Sequence, residues 1–268
     1  ARGFSPDLII TLPDAPTGRK QVITPPPAKL WAQEQKIPVL QPLKLNNEFT
    51  NELLTTDYGL FIVASYGKII PNSILDIPRY GTLNVHPSLL PKYRGPTPIQ
   101  TAILHGDEET GVTVMLLDEE MDHGGILTRQ KSRVKSQNYT ELEKELAKIG
   151  GELLAETIPK WVGGKIEAVP QNHAEATFTT KFETQDGYID SYLITTGCLK
   201  HPVAACPELV EGERKVRALN PDPGAWTTIK DQRVKILSAK IEDEKLVPLG
   251  VIPAGKKEMS WQEFLRGL

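Results

Sequence analysis

Short apolar runs rich in β-branched residues recur through the first part of the chain, at DLIITL (7–12), LFIVA (60–64), TLNVHP (82–87) and TGVTVMLLD (110–118). Turn formers bound each run, the pattern of strands buried on both faces of a sheet. Helical pattern lies between them, most clearly in PIQTAILHG (98–106), which should end at Gly106. This alternation predicts an α/β domain with an open, mostly parallel, doubly wound sheet. From Thr140 the period changes. Thr140 and Glu143 are spaced as a capping box, and Leu142, Leu146, Ile149 and Leu153 follow at helical intervals to about Trp161. A helix here would close the first domain.

The chain has 268 residues, enough for two domains. After VGGKIEAVPQ the polar stretch NHAEATFTTKFETQDG shows no sustained period, and the expected division is a domain over 1–168, a linker over 169–186 and a second domain over 187–268. ERKVRAL is amphipathic, and TTI and RVKILSA are strand-like, which predicts a small β-rich second domain. HPVAACPELVEGER (201–214) interrupts the helical pattern and reads as an insertion.

A formal net charge of -3 excludes a global basic field, so any nucleic-acid contact has to come from local clusters. Cys198 and Cys206 are too few for a disulfide framework and show no metal-ligand spacing, which points to a reducing compartment, incidental thiols and no bound metal. No apolar run approaches the roughly 18 to 20 residues of a membrane span. The expectation is a cytoplasmic monomer without membrane contact.

The chemistry gathers in LNVHPSLLPKYRG (83–95). Residues two apart on a strand share a face, so Asn84 and His86 present an amide and an imidazole together at a strand end, where α/β sheets bind ligands. The next apolar run ends in an acidic, glycine-bearing loop, DEEMDHGG (118–125), from which a carboxylate could reach the same crevice and orient the imidazole. None of these groups is a ready nucleophile. Direct attack of a bound amine on a carbonyl, with the amide and imidazole stabilising the oxyanion, fits better than a covalent enzyme intermediate. Taken singly, a strand-end histidine is more often structural and an acidic loop more often solvated. The residues alone stop at amine-to-carbonyl chemistry.

Several motifs in order carry the argument further: LPDAPTGRK, FIVASYGKIIP, NVHPSLLPKYRGPTPIQ, TGVTVMLLDEEMDHGGIL, and near the end RALNPDPGAW and AGKKEMSWQEFLRG. Through them the chain resembles the formyltransferase family that uses 10-formyltetrahydrofolate, and within it the members acting on methionyl initiator tRNA. The resemblance implies a Rossmann-like catalytic domain and a small OB-like second domain facing the tRNA. It implies a catalytic set of Asn84, His86 and Asp122, with Ser88, Leu89, Leu90 and Pro91 in the tetrahydrofolate site. SYGKIIP (65–71) and the 118–122 loop would wall the slot for the flat pterin. Arg19 and Lys20, in a segment (12–30) whose proline and glycine content should keep it irregular, would meet the tRNA acceptor stem.

Lys215, Arg217, Lys256 and Lys257 could track RNA only if folding separates them from Glu211, Glu213, Glu242, Asp243 and Glu244. The family pattern also has a strand and helix upstream of DLIITL, so this chain reads as lacking both, and as short between Ile241 and Ala254. The competing expectations are a folate formyltransferase acting on a small amine, such as glycinamide ribonucleotide or an amino sugar nucleotide, a formyltetrahydrofolate hydrolase, and an inactive RNA- or folate-binding remnant.

Overall fold

The computed structural model describes residues 3–18, 21–197 and 206–268. Arg19, Lys20, Cys198 and the first residues of the expected insertion, 201–205, lie outside them. By packing, the chain divides into one unit of residues 1–86, 113–129 and 150–171, and a second of residues 87–112, 130–149 and 172–268.

The first unit opens with β1 (Ile9–Ile10), a hairpin of β2 (Ala15–Thr17) and β3 (Val22–Thr24), and helix α1 (Pro27–Glu34), before β4 (Val39–Leu40) pairs parallel with β1. Segment 12–30 is therefore not irregular. Thr17 and Thr24 share a side-chain hydrogen bond across the hairpin, and Pro27 starts a helix because its missing N–H costs nothing there. Next come α2 (Asn47–Leu53), capped by Asn46, then β5 (Phe61–Val63), α3 (Asn72–Leu75) and β6 (Thr82–His86).

Helix α4 (Pro98–His105) ends at Gly106 as its sequence predicts, with Gly106 left-handed at φ 69°. It is followed by β7 (Glu109–Leu116), β8 (Ile126–Arg133) and α5 (Tyr139–Val162). The sheet order is β5-β6-β7-β8. Strands β5 and β6 are parallel, as expected, whereas β6 and β7 are antiparallel, with Leu83 opposite Leu116 and His86 opposite Thr113. The sheet is thus mixed. An apolar run specifies that a strand is buried but carries no direction, and TGVTVMLLD gave no cue for the reversal.

Helix α5 begins earlier than its apolar period suggests. Asn138 Oδ1 accepts from the Glu141 N–H at 3.0 Å and Glu141 Oε2 accepts from the Asn138 N–H at 3.0 Å, so the capping box is Asn138–Glu141, not Thr140–Glu143. Its far half lays Leu153 against Leu83 and Val114 of the sheet, and Trp161 donates to the Tyr80 carbonyl at 2.7 Å.

In the second unit, α6 (Tyr192–Thr195) and α7 (Pro207–Leu219) precede an antiparallel sheet of β9 (Trp226–Ile229), β10 (Gln232–Glu242), β11 (Lys245–Pro253) and β12 (Met259–Ser260), closed by α8 (Trp261–Arg266). Residues 207–214 of the expected insertion are the first half of α7. Leu209, Val216 and Leu219 are almost completely buried, and Gly212 is buried on the same helix, facing Leu246, Ile189 and Leu193. The breaks that hid this helix are Pro207 at its start and Gly212 on its packed face. Cys206 is buried and disulfide-bonded, which corrects the expectation of an incidental thiol. The stretch from Ile241 to Ala254 is short because it is a tight hairpin, in which Asp243 and Glu244 take positive φ between the paired Glu242 and Lys245.

Candidate active site

Asn84 and His86 lie on one face of β6 and are buried, 8% and 4% exposed. Because β7 runs antiparallel, its end at Leu116 lies beside Leu83, about 10 Å of strand short of His86. A carboxylate from the following loop must double back to meet the imidazole. Asp122 does so. Its Oδ1 is 3.4 Å from Asn84 Nδ2, which donates to it, and 3.5 Å from His86 Nδ1. The two strand residues and the loop residue therefore meet at one carboxylate oxygen.

The loop is held at several points. Asp118 accepts from the Glu120 N–H at 3.1 Å and from His123 Nδ1 at 2.7 Å, curling residues 118–123 on themselves. Gly124 passes so close to β7 that a Cβ would stand 2.0 Å from the Leu116 carbonyl oxygen, and Leu116 donates to the Gly125 carbonyl at 2.8 Å. Ile126 exchanges backbone hydrogen bonds of 2.8 and 2.9 Å with Val169. Asp122 itself sits at φ 49°, left-handed for a residue with a side chain. One contributor escaped the sequence reading: Gln171, 6% exposed, donates from Nε2 to the carbonyls of both Asp122 and Gly124 at 2.9 Å. A single glutamine in a polar stretch has no pattern that announces it.

Ser88 and Leu90 are fully buried within the second unit, with the Ser88 hydroxyl donating to the Lys92 carbonyl at 2.6 Å. Leu89 lines a cavity of about 330 Å³ with Lys92, Tyr93 and Asp107. The Ser88 hydroxyl is thus engaged in its own turn and Leu90 is buried, while Leu89 and Pro91 are the partly exposed members of the four. In the first unit, Asn72, the residue after the SYGKIIP segment, donates to Glu119 of the 118–122 loop at 3.1 Å. Each of the two segments shows an exposed apolar side chain, Ile69 and Met121. Burial raises the pKa of Tyr66, and its buried hydroxyl has no protein partner. Among the described residues no group of histidine, cysteine or carboxylate side chains could hold a metal ion.

Of the candidate RNA contacts in the second unit, Lys215 is spanned to Glu211 and the Tyr188 carbonyl, and Arg217 to Glu213 and the Gln137 carbonyl. Each of these cations is held by a carboxylate of its own helix and a carbonyl outside it. Lys256 and Lys257 stay exposed.

An amide, an imidazole and a carboxylate converge at the end of an α/β strand, without a nucleophile among the three, an arrangement suited to a group transfer of the carbonyl-polarising kind. The comparisons with known proteins agree on which kind. Residues 6–158 match the family described as formyl transferase, and residues 210–248 match the formyl transferase C-terminal domain. Methionyl-tRNA formyltransferase of Carboxydothermus hydrogenoformans is 37% identical over 97% of this chain and 88% of its own length. The enzyme of the same name from Bacillus mycoides is 36% identical over 97% and 87%. Among solved structures, HypX from Aquifex aeolicus in complex with tetrahydrofolic acid superposes with a TM-score of 0.64 at 19% identity, over 96% of this chain and 46% of that one. A sugar N-formyltransferase from Shewanella superposes with a TM-score of 0.58 at 18% identity, over 81% and 82%. The chain belongs to the formyl transferase family.

Proposed function

We propose that the protein transfers a formyl group from 10-formyltetrahydrofolate to the amino group of methionyl initiator tRNA, in support of translation initiation. The observation that carries the chemistry is the meeting of Asn84 and His86 at Asp122, at 3.4 and 3.5 Å. The acceptor rests on relatives bearing that activity in their name, which align over 97% of this chain, and on the C-terminal family match at 210–248. This reading keeps a catalytic domain over 1–168, a linker over 169–186 and an RNA-facing domain over 187–268. It places the protein in the cytoplasm, consistent with the lack of any described helix long and apolar enough to cross a membrane.

The folate supplies an activated formyl carbon. As the acceptor amine attacks that carbon, the carbonyl electrons move to oxygen, and the protein's task is to meet the developing charge. Asn84 has two amide hydrogens; one points to Asp122 and the second remains for the oxyanion. His86 faces Asp122 through Nδ1, and in this reading its opposite ring edge, away from the carboxylate, would serve the oxyanion. Asp122 orients both donors at once. The amine then gives up a proton and the folate nitrogen leaves with one. SYGKIIP and the 118–122 loop would hold the pterin, with Ser88–Pro91 contributing backbone and the Leu89 and Pro91 side chains.

The test is formyl transfer from 10-formyltetrahydrofolate to methionyl initiator tRNA, glycinamide ribonucleotide and an amino sugar nucleotide, with free formate measured in parallel. Formyl-methionyl-tRNA that His86→Ala abolishes supports the reading. Formylation of a small amine alone, or formate alone, replaces it.

A further inference from the structure

We propose that Gln171 is the positioning residue of this active site, setting the Asp122 carboxylate by clamping the main chain on both sides of His123. The inference rests on the formyl-transfer reading of the site and adds a residue to it. Three observations converge. Both Nε2 hydrogens of Gln171 are spent on this loop, one on the Asp122 carbonyl and one on the Gly124 carbonyl, each at 2.9 Å. The first of those carbonyls is bonded to the Asp122 Cα that carries the side chain and the second fixes the chain two residues on, and Asp122 holds a left-handed φ of 49° that the two hydrogen bonds help to keep. Gln171 is itself fixed, since it is 6% exposed and lies two residues beyond Val169, which is paired to Ile126 at the loop's exit.

The chemistry of the clamp is specific. It needs two donors on one planar group and no charge, because the Asp122 carboxylate is part of the same short loop. Alanine removes the donors. Glutamate keeps the shape but sets acceptor oxygens against two carbonyls, and only its protonated form restores a single donor. Gln171 touches no reacting atom. Its effect must pass through Asp122, and that makes the inference testable apart from any general loss of packing.

The experiment measures kcat and KM of Gln171→Ala and Gln171→Glu in the full chain, each alone and combined with Asp122→Asn. Hydrogen exchange of the 117–125 amides is followed without substrate. The expected result for Gln171→Ala is kcat lowered about 10- to 100-fold with KM within about twofold, the scale of a roughly 1 Å misplacement of a catalytic group. In the Asp122→Asn background the same change should cost little more, as residues acting as a unit are non-additive. For Gln171→Glu, kcat relative to the parent at the same pH should recover as pH falls from about 8 to about 5.5, while the ratio for Gln171→Ala stays level.

Equal losses in both backgrounds, or unchanged exchange in the loop, would overturn the proposal. If a variant folds poorly, the exchange pattern still decides: protection lost first in 117–125 supports the clamp, and uniform loss opposes it. Should the parent protein formylate none of the three acceptors, the functional reading fails, and the loop exchange judges the clamp independently.

Discussion

The closest approach in the site is made by a glycine, and Gly124→Ala tests whether that approach sets Asp122. A Cβ at Gly124 would lie 2.0 Å from the Leu116 carbonyl oxygen, where real contacts of this kind essentially never fall below 3.0 Å. The backbone therefore has to retreat by about 1 Å, and the oxygen it meets belongs to the central sheet, so the loop is the part that yields. Retreat opens the 2.8 Å hydrogen bond from Leu116 to Gly125 and carries away the Gly124 carbonyl that Gln171 holds. A displacement of that size at a catalytic group costs about 10²-fold in rate. Strain of this type removes about 1–3 kcal/mol of stability. Single-turnover formyl transfer and thermal unfolding of the same preparation measure both. Gly151→Ala is the control: the position lies within α5 with open space around it, and alanine there should stabilise by about 0.5–1 kcal/mol without touching the rate. A Gly124→Ala protein whose rate stays within twofold of the parent, at an unchanged melting temperature, would refute the reasoning.

On the proposed mechanism, Asn84→Ala and His86→Ala should each lower kcat about 10²- to 10³-fold in the formyl-transfer assay, and the double variant should lose less than the product, as expected of two donors to one oxyanion. Burial, and then the hydrogen bond to Asp107 at 2.8 Å, hold the Tyr93 hydroxyl well above its ordinary pKa of 10.0. A raised folded-state pKa gives a contribution that is complete below that ordinary value and is lost as pH climbs beyond it. Urea midpoints should therefore fall above about pH 10 in the parent and fall less steeply in Tyr93→Phe, which forfeits about 1 kcal/mol at neutral pH. In the second unit, Phe264 is 2% exposed and packs with Ile229, Val234 and Val251, so Phe264→Ala should cost about 3–5 kcal/mol by chemical denaturation.

Much of the fold could be read from local pattern because local physics writes it. Pro98 and Gly106 delimit α4, and the intervals between Leu142, Leu146 and Leu153 mark the buried stripe of α5. Asn84 and His86 were legible for a similar reason, since strand parity alone puts them on one face. What stayed hidden depends on partners distant in sequence. Strand β8 is largely polar, ILTRQKSR, because an outer strand exposes much of its surface, so it lacks the apolar run that announces its neighbours. The first half of α7 was masked by Pro207 and Gly212, of which the first marks the helix start and the second lies on its buried face. The hairpin in segment 12–30 has strands of three residues, too short for a period to register.

The reversal of β7 bears most directly on the site. Had β7 run parallel to β6, its carboxyl end would have stood beside His86, and almost any short acidic loop could have delivered a carboxylate there. Antiparallel, it leaves the loop to recross about 10 Å of strand, and free chain returning over that distance would scatter the carboxylate over many positions. The restraints that narrow the scatter come from three places: contact with β7 at Gly124, pairing of Ile126 with Val169, and the two hydrogen bonds from Gln171. Val169 and Gln171 stand more than forty residues beyond Asp122, at the start of what the sequence presents as a linker. Two of the three restraints on the Asp122 carboxylate thus come from residues that follow α5 in the chain. Asn84 and His86, by contrast, are placed by one strand. Completion of the site should therefore depend on the 168–171 segment docking, and loosening that segment should remove Asp122 from the cluster while the two strand residues remain where they are.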